Sequence, residues 1–184
     1  MTEKAYRLGL IVGRFQCLHA GHMLMIDKAL AVCERVAIFI GSAQEHGTEK
    51  NPLGYEQRRD MILAVYPSGV EVYPLPDIGA GNNNRWGAYV LNQVRRSCGE
   101  LPDIMISGQE SRRISWFTDI EGVAVANLYI PKTVDISSTA MREYLRAGDE
   151  ESWRKYTDQR LHGMYGMLRE AVLAAQGNAH SASI

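Results

Sequence analysis

Between Leu8 and Ala31 the chain changes its periodicity twice, and no other stretch constrains its fold as strongly. Leu8-Gly9-Leu10-Ile11-Val12 is an apolar run of the length of a buried strand. Gly13 to His22 breaks any regular pattern. From Met23 onward apolar residues return at helical spacing, as Met23, Ile26, Ala29 and Leu30. A second buried strand follows at Arg35-Val36-Ala37-Ile38-Phe39-Ile40 and ends in the small residues Gly41, Ser42 and Ala43. Two such strands joined through a helix lie parallel, because only a crossover of that length returns the chain to the same end of the sheet.

The rest of the chain continues the alternation. Further strands are expected at Val70–Pro76, Asp103–Gly108 and Val123–Tyr129, with helices at Glu56–Val65, Ala88–Arg96 and Arg112–Thr118. Glu150–Ala175 reads as two helices, the second weakened by Gly163 and Gly166 by about 1 kcal/mol each relative to alanine. The fold class is therefore α/β. It is a Rossmann-like, doubly wound parallel sheet of about five strands, with helices on both faces and a C-terminal helical segment. The 184 residues suit one domain, placed at residues 1–175, and the small, polar residues 176–184 read as a disordered tail.

In open α/β sheets ligands bind beyond the carboxyl ends of the strands, and Gly13–His22 lies at such an end. Free backbone N–H groups at the start of the following helix favour an anion. Arg14, His19 and His22 add donors suited to phosphate oxygens. Two histidines three residues apart could also cap a helix or begin a metal site. A metal site asks for further Cys, His or carboxylate ligands at short spacing, and none stand nearby. A second candidate helix start is Asp135-Ile136-Ser137-Ser138-Thr139-Ala140-Met141-Arg142. Its hydroxyls are N-cap residues, and the same helix start could bind phosphate with Arg142 one turn in.

Gly13-Arg14-Phe15-Gln16 followed by His19-x-Gly21-His22 resembles the H-x-G-H signature of the nucleotidylyltransferase superfamily, in the form of the archaeal-type nicotinamide mononucleotide adenylyltransferases. Ile136-Ser137-Ser138-Thr139-x-x-Arg142 resembles the second signature, more than a hundred residues later and in the right order. The resemblance covers about residues 8–170. It implies adenylyl transfer from ATP to nicotinamide mononucleotide, giving NAD and pyrophosphate, with Mg2+ carried on the ATP phosphates. It implies catalytic roles for Arg14, His19, His22 and Arg142. ATP contacts are implied for Gly13, Phe15, Gly21, Ser107, Gly108, Ile136, Ser137, Ser138 and Thr139. Mononucleotide contacts are implied for Gly41, Ser42, Arg58, Asn83 and Trp86. It also implies a homo-oligomer. Two departures stand out: Cys17 occupies a position where the family has proline, and Gln109 one where it commonly has asparagine.

Taken without the family, several of these residues have plainer readings. Arg58 and Arg59 would be a solvated helix face, Trp86 a core residue, and Gly41-Ser42 an ordinary turn. His46 to Tyr55 is polar, carries Gly and Pro, and sits where a mobile flap would be. Two competing functions remain open. One is adenylyl transfer to another phosphorylated acceptor, such as phosphopantetheine, a flavin mononucleotide or a phosphorylated polyol. The other is a non-catalytic nucleotide-binding module.

Composition narrows the partners. A formal net charge of -1 supplies no basic field for nucleic acid. Three cysteines without CxxC spacing argue for a reducing compartment. No signal-peptide pattern opens the chain, and no apolar run approaches the roughly 20 residues needed to span a bilayer. A cytoplasmic protein without membrane contact is expected.

Overall fold

Five parallel strands form one sheet in the order β3-β2-β1-β4-β5. They are β1 (Tyr6–Gly13), β2 (Cys33–Gly41), β3 (Val70–Leu75), β4 (Ile104–Ser107) and β5 (Ala126–Tyr129). The computed structural model describes residues 3–79, 83–108, 116–118 and 120–181, and only the backbone of 83, 84 and 178–181. Among the described residues, the helices are α1 (Ala20–Val32), α2 (Tyr55–Val65), α3 (Asn83–Cys98), α4 (Ser138–Ala147), α5 (Glu150–Lys155) and α6 (Tyr165–Ser181). A 3-10 helix, Gln159–Met164, links the last two. None of these helices is long and apolar enough to cross a membrane.

β1 carries the centre of the sheet because both of its edges are paired: Leu10 opposes Ala37 on β2 and Met105 on β4. Its side chains therefore divide between two buried layers. Ile11 joins Ile26, Ile38, Ile62, Ile106 and Met141 on one face. Leu8, Leu10 and Val12 join Phe39, Val90, Val94 and Met105 on the other. A strand covered on both faces has no polar side, and this is why Leu8–Val12 shows an unbroken apolar run. Gly9 is needed for the close passage of β1 past the end of α1, since a Cβ there would lie 2.5 Å from Cys33 Sγ.

The strand order places the direction reversal between β1 and β4. From β1 the chain winds outward through β2 and β3, then crosses to β4 and β5. The carboxyl ends of β1 and β4 thus splay their loops apart and leave a crevice.

Element boundaries differ from expectation in three places. α3 begins at Asn83, so Trp86 lies within the helix and not in a loop before it. β5 is short and largely exposed as the sheet edge. α6 runs through Gln176 to Ser181, into the segment read as tail; 182–184 lie outside the described residues. Gly163 and Gly166 fall in the 3-10 segment and in the first turn of α6, where they delimit the helix and do not interrupt it. The helix expected at Arg112–Thr118 lies mostly outside the described residues, as does Gln109.

Candidate active site

A cavity of about 520 Å3 opens at the carboxyl ends of β1 and β4. Its walls are the loop after β1, the start of α1, Gly108, the segment after β5, and the start of α4. The two motifs separated by more than a hundred residues meet here. Arg142 Nη1 donates to the Gln16 carbonyl at 2.8 Å and to the Ser138 carbonyl at 3.1 Å, while Nη2 donates to Thr139 Oγ1 at 3.3 Å. Ser138 Oγ donates to the Cys17 carbonyl at 3.4 Å. Arg142 is half-buried, and burial first, then Arg146 and Arg14, hold its pKa below the usual arginine value.

His19 caps α1. Its Nδ1 accepts from the Gly21 N–H at 3.2 Å, which makes Nε2 the protonated nitrogen of the neutral ring. Burial, helped by Lys132, pushes its pKa down to about 4, so the ring is neutral at physiological pH. It stacks on His22 with centroids 3.9 Å apart, and Phe15 tilts against His22 with centroids 4.8 Å apart. The capping reading of His19 is met through Nδ1, and Nε2 carries the proton. Ser137 likewise caps α4, accepting from the Ala140 N–H at 3.2 Å. At the start of α1 the Ala20 N–H donates to the Tyr156 carbonyl at 2.8 Å and the Gly21 N–H to His19, whereas Ser138 and Thr139 at the start of α4 line the cavity, where a helix start favours an anion.

Gly13, Arg14, Phe15, His19, Gly21, His22, Gly108, Ile136, Ser137, Ser138, Thr139 and Arg142 all line this cavity. Ser107 ends β4 beneath Gly108 and is buried. The residues expected on the acceptor side stand apart from it. Gly41 and Ser42 close β2, with Ser42 Oγ donating to Asp77 Oδ2 at 2.6 Å. Trp86 is half-buried in an aromatic group with Tyr89 and Trp116, at centroid distances of 5.4 and 5.9 Å. Its packing against the second buried layer agrees with the plainer reading of this residue. The Asn83 side chain lies outside the described residues.

Arg58 is not the solvated helix-face residue of its plainer reading. It is neither solvated nor in the cavity, but wholly buried beneath the strand ends. Its Nη1 donates to the carbonyls of Gly41 at 2.8 Å and Arg14 at 3.1 Å, its Nη2 to Ser42 at 3.1 Å, and its Nε to Gly54 at 3.2 Å. Burial first, then Arg14, bring its pKa down to about 10, which leaves it charged at neutral pH.

The segment expected to be a flap is anchored at one end. Gln16 Nε2 donates to the Leu53 carbonyl at 2.9 Å, and the Leu53 N–H donates to Gln16 Oε1 at 2.9 Å. Asn51, Pro52 and Leu53 are buried, while Thr48 to Lys50 remain exposed. Cys17 is buried within the loop after β1, its Sγ 3.7 Å from Met61 Sδ, and burial pushes its thiol up to about 12. The Gln16–Cys17 peptide is cis.

Sequence reasoning missed Lys132. It lines the cavity, pairs with the exposed Asp135 at 2.8 Å, and acts on His19. Its position three residues ahead of Asp135, where the second motif was taken to begin, was the available signal.

The sequence matches the cytidylyltransferase-like family over residues 10–144. The chain belongs to this family. Among curated relatives, it is 40% identical to the nicotinamide-nucleotide adenylyltransferase of Thermococcus onnurineus over 93 residues, 48% of this chain and 49% of that protein. It is 29% identical to the enzyme of that name from Caldivirga maquilingensis over 153 residues, 80% of each. The chain thus spans about half the length of the first relatives it matches. Among solved structures, a bifunctional NMN adenylyltransferase/ADP ribose pyrophosphatase from Francisella tularensis, complexed with AMP and a Mn ion, superposes with a TM-score of 0.74. That match has 22% identity and covers 96% of this chain and 54% of the other, so it establishes the shared cytidylyltransferase-like fold.

Proposed function

We propose that this chain is an enzyme that transfers the adenylyl group of ATP to nicotinamide mononucleotide, forming NAD and pyrophosphate. The observation that carries the reading is the convergence of both motifs on one cavity, with Arg142 donating across them to Gln16. The names of the relatives supply the acceptor.

In this reaction an oxygen of the acceptor phosphate forms a bond to the α-phosphorus of ATP. The bond from that phosphorus to the bridging oxygen breaks, and pyrophosphate leaves with the electron pair. The attacking phosphate is already ionised near neutral pH, so no general base is needed. Catalysis is positioning plus charge stabilisation. His19 Nε2–H and His22 would donate to oxygens of the transferring phosphate. Arg14, Lys132, Arg142 and the N–H groups at Ser137–Thr139 would hold the β- and γ-phosphates. The acceptor would lie toward Gly41, Ser42, Asn83 and Trp86.

Among the described residues no three His, Cys, Asp or Glu side chains stand together as a metal site. The polar lining of the cavity is dominated by cations and donors, which suit phosphate and not a bare cation. Mg2+ is therefore assigned to the ATP complex as it arrives, and no step is routed through it. The free thiols Cys17, Cys33 and Cys98 suit a reducing, cytoplasmic setting. A homo-oligomer is carried over from the resemblance alone.

The deciding experiment follows pyrophosphate release from ATP and Mg2+ with and without nicotinamide mononucleotide, alongside detection of NAD. Release that depends on the mononucleotide is the expected result. Release only with phosphopantetheine or flavin mononucleotide moves the acceptor. ATP binding without release from any acceptor identifies a binding module.

A further inference from the structure

Two non-glycine residues have a left-handed backbone, Phe15 at φ 51° and Ser42 at φ 49°. An L side chain is sterically disfavoured in this region and persists there only where surrounding contacts impose it. They lie just past the ends of the neighbouring strands β1 and β2. One side chain reaches both turns. Arg58 binds the carbonyl of Arg14, which belongs to the peptide entering Phe15, and the carbonyls of Gly41 and Ser42, which flank the second turn. Its Nε is tied to Gly54, at the start of its own helix α2. The guanidinium is fully buried, and its partners are main-chain oxygens drawn from a segment more than forty residues away and from the end of β2. A planar fork with several fixed N–H directions can bridge such carbonyls at once, and an ammonium cannot.

The two turns carry the two halves of the reaction proposed above. Arg14 and Phe15 belong to the phosphate-facing loop, and Gly41 and Ser42 to the acceptor side. We propose that Arg58 is a positioning residue that sets the distance and orientation between the donor and acceptor turns by bracing the ends of β1 and β2 from below. It touches neither substrate. This inference rests on the adenylyl-transfer reading. Because it concerns alignment and not contact, its effect falls on turnover more than on the binding of either substrate. A misplacement of about 1 Å remote from the chemistry can cost about 100-fold in rate.

The test compares Arg58→Met, which keeps the length and removes the fork, with Arg58→Lys, which keeps the charge. Both are measured with full steady-state kinetics, corrected for folded fraction by circular dichroism. Arg58→Met is expected to lower kcat about 100-fold while KM for ATP and for nicotinamide mononucleotide each change less than about fivefold. Arg58→Lys is expected to recover part of that loss and to stay about tenfold below wild type in kcat, because an ammonium holds only some of the carbonyls. A kcat within threefold of wild type in Arg58→Met overturns the proposal, as do KM values that rise while kcat holds. If Arg58→Met does not fold, Arg58→Lys decides: about tenfold lower kcat at nearly unchanged KM supports the brace, and kcat within threefold of wild type overturns it. A wild-type protein without mononucleotide-dependent release overturns the reading beneath the inference, and the inference with it. That failure is distinct from the failure of Arg58 in an active enzyme.

Discussion

On the proposed function, His19 serves stability and chemistry through separate atoms. Nδ1 is committed to the Gly21 N–H, so Nε2 keeps the proton and is left to donate. Replacing it with asparagine keeps a good N-cap and removes the imidazole donor. Turnover of His19→Asn is expected to fall about 10²–10³-fold, the usual effect of losing one donor to developing charge. The same residue links stability to pH. Its folded pKa of about 4 lies below the ordinary histidine value of 6.5. As pH falls from about 6.5 toward 4, the unfolded chain binds the proton first, and stability is lost over that window. The wild-type protein should lose up to about 3 kcal/mol from this group, and His19→Asn should not. Urea denaturation of both proteins at pH 7 and at pH 4.5 measures the difference.

At the scale of elements, the site is held by the starts of α1 and α4 and by the clamp between the phosphate-facing loop and the segment before α2. Ser137→Ala removes the cap of α4 and should cost about 1 kcal/mol, read as a lower urea midpoint at unchanged slope. Gln16→Met has a larger expected effect. It leaves the N–H and the carbonyl of Leu53 without the amide that satisfies them, in a wholly buried setting. A loss of about 2 kcal/mol or more is expected. Because the Gln16 carbonyl also receives Arg142, turnover should fall with it, and kinetics at a temperature well below the melting point will separate the two effects. Amide exchange in this variant should quicken first across residues 46–54, whose anchor has gone.

For the whole molecule, the ligand is expected to act as part of the structure. The cavity is walled by segments far apart in the chain, from Val12 to Arg142, so a bound nucleotide joins elements that the backbone connects only distantly. ATP with Mg2+ at a hundredfold excess over its dissociation constant should stabilise the fold by about 2.7 kcal/mol. Differential scanning fluorimetry will show this as a rise in melting temperature. Arg142→Ala should abolish most of the rise, because it removes the cation that spans both motifs.

The order of strands and helices, the parallel sheet and the places of the two motif-bearing loops were determined by the sequence alone, because each is a local pattern. A run buried on both faces must be uniformly apolar, as at Leu8–Val12, and a helix start is commonly marked by a capping side chain, as at His19 and Ser137. The start of α3 escaped this reading because the glycines and asparagines ahead of Trp86 have loop composition. Arg58, Gln16 and Lys132 were decided by the tertiary structure. An arginine in a helix looks the same in sequence whether water or main-chain carbonyls surround it. Burial of its charge depends on oxygens brought to it by other strands, from Arg14 and from Gly41 and Ser42. Desolvation and hydrogen-bond satisfaction belong to a place in space, and the chain reaches that place only when the sheet has formed.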